Sequence, residues 1–213
     1  MEIDIIFDTV CPWCYIGKKR LEKALEMRPL IKIKPHWRPF LLNPEMPPEG
    51  IDRTAYLIKK FGSEARVGRI YGAIGEAGQS VEIDFSFERI NRTPNSVDSH
   101  RLIRFAEKFA TPGIDDEIVE ALFVQFFLHG HDIGDIDILT EIGTAKGLDA
   151  KTLRDYLESD EDVRQIYDDN VQAHRLGING VPSFSFSNKL VISGAQEPQV
   201  LARVLDAAQE AAA

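Results

Sequence analysis

Phe7-Asp8-Thr9-Val10-Cys11-Pro12-Trp13-Cys14-Tyr15-Ile16-Gly17 decides how this chain is read. Residues 3–7, at its head, are apolar apart from Asp4 and rich in isoleucine, the pattern of a buried strand. Beyond it, Leu21, Ala24 and Leu25 recur at helical spacing. Pro12 suits a first helical turn, where a missing N–H costs little, and Pro29 is a stop, so a helix is expected over 12–27. Ile31, Ile33, Pro35 and Trp37 then alternate with Lys32, Lys34 and His36, which predicts a second strand. Strand, helix, strand is the βαβ unit in which a C-x-x-C reads as redox chemistry.

The chain has two cysteines and both lie in this stretch. Dithiol exchange needs one thiol that attacks and a second within reach that resolves the mixed disulfide. Two intervening residues in a first helical turn bring the sulfurs together. Cys11 falls at the helix N-terminus, where free N–H groups and the helix dipole favour a thiolate, while Cys14 lies one turn in and is shielded. Cys11 is thus the candidate nucleophile and Cys14 the candidate resolver. The bland alternative is a pair of buried structural cysteines. A zinc site is the other alternative, but it wants four ligands. Only His129 and His131 could complete one, and they read more simply as a solvated loop around Gly130.

Outward from the motif, prolines 39, 44, 47 and 48 mark a connection. From about 54 to 177 the signals are helical. Leu102, Phe105, Ala106 and Phe109 form one apolar stripe, and Ile118, Val119, Leu122, Phe123, Phe126 and Phe127 a wider one. Asp149 is placed to cap one helix and Asp160 another that ends at Gly177. Residues 183–187 and 189–193 flank Asn188 as a hairpin, and Pro198 opens a last helix. The order predicts an α/β chain: a thioredoxin fold with a large inserted all-helical subdomain. Residues 1–50 and 160–213 would form the thioredoxin-like domain and 51–159 the insertion. Gly180-Val181-Pro182 then falls where thioredoxin-fold redox proteins place a cis-proline beside the C-x-x-C, so Pro182 joins the candidate site. Read without that context, it is a trans-proline starting an edge strand.

Composition narrows the function classes. A 213-residue chain that is 44% hydrophobic and 28% charged can bury a core without disulfide staples. Its net charge of −9 argues against nucleic acid and anionic membrane surfaces as partners. No apolar run approaches the roughly 20 residues that span a bilayer. Glu2 and Asp4 stand where a secretory leader would be basic, so a cytoplasmic protein is expected.

The opening stretch resembles the DsbA-like family of thiol–disulfide oxidoreductases, in particular its FrnE-type cytosolic branch. Trp37-Arg38-Pro39-Phe40, Asn95-Ser96 before His100-Arg101, Gly180-Val181-Pro182-Ser183-Phe184 and Ser193-Gly194-Ala195-Gln196 extend the resemblance over nearly the whole chain. It implies a thioredoxin fold with a helical insertion, exchange with protein or small-molecule thiols and disulfides (glutathione among them), and no bound metal or organic cofactor. It also sets Pro12, Trp13, Val181, Asn95 and His100 near the substrate, with Asn91 beside them. Asn91, Asn95 and His100 equally fit a turn at Pro94 and ordinary helix-start polarity. Pro12-Trp13 matches neither the Gly-Pro of thioredoxin nor the Pro-His of DsbA, so a redox potential does not carry over. Glutathione-dependent 2-hydroxychromene-2-carboxylate isomerases and kappa-class transferases share the fold but usually carry Ser at the position of Cys11. They form the runner-up; a chaperone-like binding protein is a third possibility, and the oligomeric state is left open.

Lesser candidates complete the reading. Asp8, three residues before Cys11, could relay a proton to Cys14 or merely cap the turn. Lys18, Lys19 and Arg20 read as a solvated helix face, and Phe123, Phe126 and Phe127 as core.

Overall fold

The computed structural model describes residues 1–186 and 190–211. Its central sheet runs β2-β1-β5-β6. β1 (Glu2–Phe7) pairs in parallel with β2 (Lys34–Pro39), as the intervening helix α1 (Pro12–Glu26) requires of a crossover. β5 (Ser183–Phe186) lies antiparallel to β1, and β6 (Leu190–Ser193) antiparallel to β5. α9 (Pro198–Glu210) closes the chain against α1. Among the described residues no helix is long and apolar enough to cross a membrane.

Between β2 and β5 the chain is mostly helical. A two-residue strand β3 (Ile51–Asp52) leads into α2 (Arg53–Phe61) and α3 (Glu64–Gln79). β4 (Arg92–Thr93) returns to pair with β3. Five helices follow: α4 (Val97–Phe109), α5 (Ile114–Phe127), α6 (Ile136–Ala145), α7 (Ala150–Glu158) and α8 (Val163–Arg175). The predicted α/β class and thioredoxin-like order with a helical insertion are what the chain adopts.

One core joins sheet and helices. Ile3, Ile5 and Phe7 alternate onto its face of β1, and the wide stripe of α5 is wholly buried against them. Phe7 meets Trp37 and Phe123 edge-on at 4.7 and 6.1 Å, and Tyr15 stacks on Phe123 at 4.9 Å. Ile6, on the opposite face, packs with Phe40, Ala173 and Ile178.

Several expectations need correction. The second strand starts at Lys34, not Ile31, because β1 begins at Glu2 and offers no partner earlier in the parallel register. Ile31 instead closes a turn on the Arg28 carbonyl. Asp160 does not cap α8: the helix starts at Val163 behind Asp162, which takes a positive φ of 62°. The Asp162 carboxylate is held by Lys108 and, at 2.8 Å, by the Tyr156 hydroxyl. Phe109 is 65% exposed and leaves its stripe. Asp149 does cap α7, accepting the Thr152 N–H, and Gly177 turns the chain after α8 at φ 82°. The hairpin turn at Asn188 lies outside the described residues.

The basic run of α1 is not a solvated face. Lys18 is buried and reaches Glu22, Asp116 and Glu120, tying α1 to α5. Arg20, also buried, donates to the Ala195 carbonyl and pairs with Glu197 at 2.7 Å, tying α1 to the approach of α9.

Candidate active site

Sheet and helix geometry bring the two ends of the chain together. Cys11 is the N-cap of α1, with extended backbone, and Pro12 takes the first helical position. The Cys11 carbonyl accepts the Cys14 and Tyr15 N–H groups at 3.0 and 3.4 Å, which starts the helix and folds Cys14 back beneath Cys11. The two cysteines are unbonded and buried, at 5% and 2% exposure. Burial pushes the Cys14 thiol well above its ordinary value; its hydrogen bond to Cys11 and the Cys11 charge add to this, and the Asp8 backbone opposes it.

The Val181–Pro182 peptide bond is cis, the geometry its place in the element order predicts. The Val181 carbonyl lies 3.9 Å from Cys11 Sγ. Gly17 lets α1 approach this loop: a Cβ there would sit 2.7 Å from Pro182 Cγ and 3.3 Å from Phe184 Cζ.

Behind the cysteines, Asp8 is fully buried. Its carbonyl accepts the Cys11 N–H at 3.0 Å. Its carboxylate accepts the Leu42 N–H at 2.7 Å and the Val10 N–H at 3.3 Å. Turn-capping, one of the two roles expected of it, is what these contacts give Asp8. His100, 3% exposed, points its Nε2 at Asp8 Oδ1 from 3.7 Å with no hydrogen-bond partner, and its ring meets Phe7 edge-on.

A cavity of about 360 Å³ opens over Cys11. Pro12, Trp13 and Val181, three of the predicted substrate neighbours, line it with Cys11, and Trp13 is 37% exposed at its edge. Asn95 and His100 are placed differently. Asn95 donates to the Met46 carbonyl and accepts the Val97 N–H, so both ends of its amide are engaged in holding the 43–50 loop and the start of α4. His100 lies behind Asp8, not in the cavity. Asn91 accepts the Arg53 N–H through its carbonyl and lines a separate depression. His129 and His131 are exposed, with ring centroids 6.0 Å apart and His131 on Gln125. Among the described residues no three His, Cys, Asp or Glu side chains converge as metal ligands would.

Sequence reading missed the opposite wall. It comes from α2 and α3, through Arg53, Tyr56, Lys60 and Tyr71. The available signal was charge: residues 53–69 hold five basic residues and one acidic one in a chain where acids outnumber bases 34 to 25.

Comparison with known proteins agrees with this geometry. Residues 2–206 match the family described as DSBA-like thioredoxin domain. A probable DsbA oxidoreductase from Streptomyces coelicolor superposes with a TM-score of 0.87 at 27% identity, over 99% of this chain and 90% of that one. The Bacillus subtilis protein YwbO is 25% identical over 99% of this chain and 98% of its own length. The cytosolic disulfide reductase DsbM from Pseudomonas aeruginosa, solved with GSH, shares the fold: TM-score 0.67 at 16% identity, over 99% of this chain and all of that one.

Proposed function

This chain belongs to the DSBA-like thioredoxin domain family, and from that premise we propose that it exchanges disulfides with protein and small-molecule thiols through Cys11 and Cys14. One observation carries the reading: two unbonded cysteines, the first opening a helix on the floor of a cavity and the second hidden one turn behind it.

In the reducing direction the Cys11 thiolate attacks a substrate disulfide. A mixed disulfide forms and one substrate thiolate leaves. Cys14 then gives up its proton and attacks Cys11 Sγ, forming the Cys11–Cys14 disulfide and releasing the second substrate thiolate. Two protons and two electrons pass from the protein to the two product thiols, and the reverse sequence oxidises a dithiol. Burial raises the Cys14 thiol and so favours its protonated form in the reduced protein. Asp8 is the candidate acceptor for its proton. The Val181 backbone offers an edge to an extended substrate, and Pro182 beside it brings no competing N–H. Trp13 and Pro12 supply apolar contact at the cavity edge.

A cytoplasmic thiol pool, glutathione included, is the reductant assigned to this cycle; DsbM, named as cytosolic and solved with GSH, supports that assignment. Trapping tests the division of labour. Cys14→Ala should accumulate mixed disulfides at Cys11 that reductant releases, and Cys11→Ala should give few. Equal trapping by both variants, or no reduction of insulin by the wild type, would sink the proposal.

A further inference from the structure

Among the described residues Arg53 is a buried cation without a carboxylate partner. It opens α2, is 7% exposed and lines the same cavity as Cys11. Its Nε donates to the Tyr71 hydroxyl at 3.0 Å and its Nη1 to Thr93 Oγ1 at 3.3 Å. Its guanidinium faces the rings of Tyr71 and Phe126 at 5.8 and 5.6 Å. All of these partners are neutral: burial raises the Tyr71 phenol more than Arg53 lowers it. Among the described residues no carboxylate pairs with Arg53. A buried guanidinium is costly to leave so, and a planar guanidinium is the side chain best suited to take an anion in two-point contact.

The surroundings point the same way. Lys60, exposed on the same cavity, touches only the Tyr56 hydroxyl and the Tyr56 and Phe61 rings. Arg66 and Arg69 continue the basic surface along α3, and no ion pair engages either among the described residues. A chain of net charge −9 thus places two cationic side chains, Arg53 and Lys60, on the cavity that holds Cys11. The cavity volume of about 360 Å³ suits a small ligand better than a folded chain.

We propose that the α2–α3 wall is an anion subsite selecting small disulfides and thiols that carry a carboxylate, with Arg53 as the buried contact and Lys60 at the mouth. This rests on the Cys11–Cys14 exchange reading.

The test is single-turnover oxidation of the pre-reduced protein by two aromatic disulfides. One is dianionic, 5,5′-dithiobis(2-nitrobenzoate); the other is neutral, 4,4′-dithiodipyridine. Each consumes the protein dithiol and releases two thiols. The readout is the ratio of the two rate constants, in which differences in reagent reactivity cancel between variants. Arg53→Gln should lower the anionic-to-neutral ratio about tenfold, the scale of one charge-assisted hydrogen bond. Arg53→Lys should restore much of it. Lys60→Gln should lower it by roughly twofold to threefold, and 0.5 M salt should compress the wild-type ratio. An unchanged ratio in folded Arg53→Gln overturns the subsite. Should that variant fail to fold by circular dichroism, an unchanged ratio in Lys60→Gln overturns it instead. A tenfold loss with insulin as substrate as well would reassign the wall to acidic protein segments. Wild type that reacts with neither reagent sinks the exchange reading itself, whereas exchange without charge discrimination sinks the subsite alone.

Discussion

At the scale of single residues, the motif was legible because its chemistry is local. Cys11, Pro12 and Cys14 define one helical turn, and burial one turn into a helix separates the two thiols without any distant contact. Iodoacetamide at pH 7–8 should therefore alkylate Cys11 and leave Cys14 untouched; mass mapping that finds Cys14 modified first would reverse the assignment. From the residues alone Asn95 and His100 read as polar residues near a turn, and the resemblance set them near the substrate, whereas neither lines the cavity over Cys11. Their partners, the Met46 carbonyl and Asp8, lie 49 and 92 positions away, and no spacing in the sequence encodes that. Gly17 is intermediate: it is visible in the motif, but its reason is the approach of Pro182 from the far end of the chain. A proline ring at 2.7 Å yields little, so Gly17→Ala should cost about 1–3 kcal/mol of stability. It should also slow exchange by shifting α1 against the Val181 loop. A denaturation midpoint within error of wild type, read by circular dichroism, would show that the loop gives way freely.

At the scale of elements, periodicity found the four strands of the central sheet and the helices with the strongest apolar stripes, but not the short β3–β4 pair nor what fastens the elements together. The wide stripe of α5 was read correctly because burial follows spacing, whereas Lys18 was read as solvated because a charge carries no such mark. Lys18 loses hydration on burial, but Asp116, Glu22 and Glu120 more than offset this and hold its ammonium charged. Burial raises the Glu120 carboxyl, yet the hydrogen bond from Lys19 and the charges of Lys18 and Lys19 bring it below its ordinary value. That contribution is present above the unfolded carboxyl's titration and is lost as pH falls through the folded value. Lys18→Met leaves three carboxylates facing one another between α1 and α5. We expect a loss of about 1–3 kcal/mol at pH 7, below the figure for a fully buried pair because the acids are 28–41% exposed. The loss should shrink below about pH 4, where carboxylates protonate. Urea titrations of both proteins across that range test this, and a pH-independent difference would point to lost packing instead. Arg101 is a similar case, its guanidinium collecting the carbonyls of Tyr156, Leu157, Ser159 and Glu161 at the end of α7.

At the scale of the whole molecule, element order was enough for the fold class, since βαβ, helices, then a hairpin and a helix leaves few arrangements of one sheet. The division we propose, 1–50 with 160–213 against 51–159, is one of chain topology. Energetically the two parts share a core. Phe123 of α5 touches Phe7 of β1 and Tyr15 of α1, and Phe7 touches Trp37 of β2. An insertion whose apolar stripe is completed by the sheet has nothing to cover it once the sheet melts. Sheet and helices should therefore unfold together, even in a chain larger than the usual two-state domain. A Trp13→Phe background leaves Trp37, 6% exposed, as the reporter of the sheet, while far-UV circular dichroism reports the helices. The two urea curves should coincide. Phe123→Ala, by opening a cavity at a fully buried ring, should lower both midpoints in step by an amount worth about 3–5 kcal/mol. A fluorescence transition that moves while the helical signal stays would mean that the insertion stands on its own, and the shared core would then be contact without cooperativity.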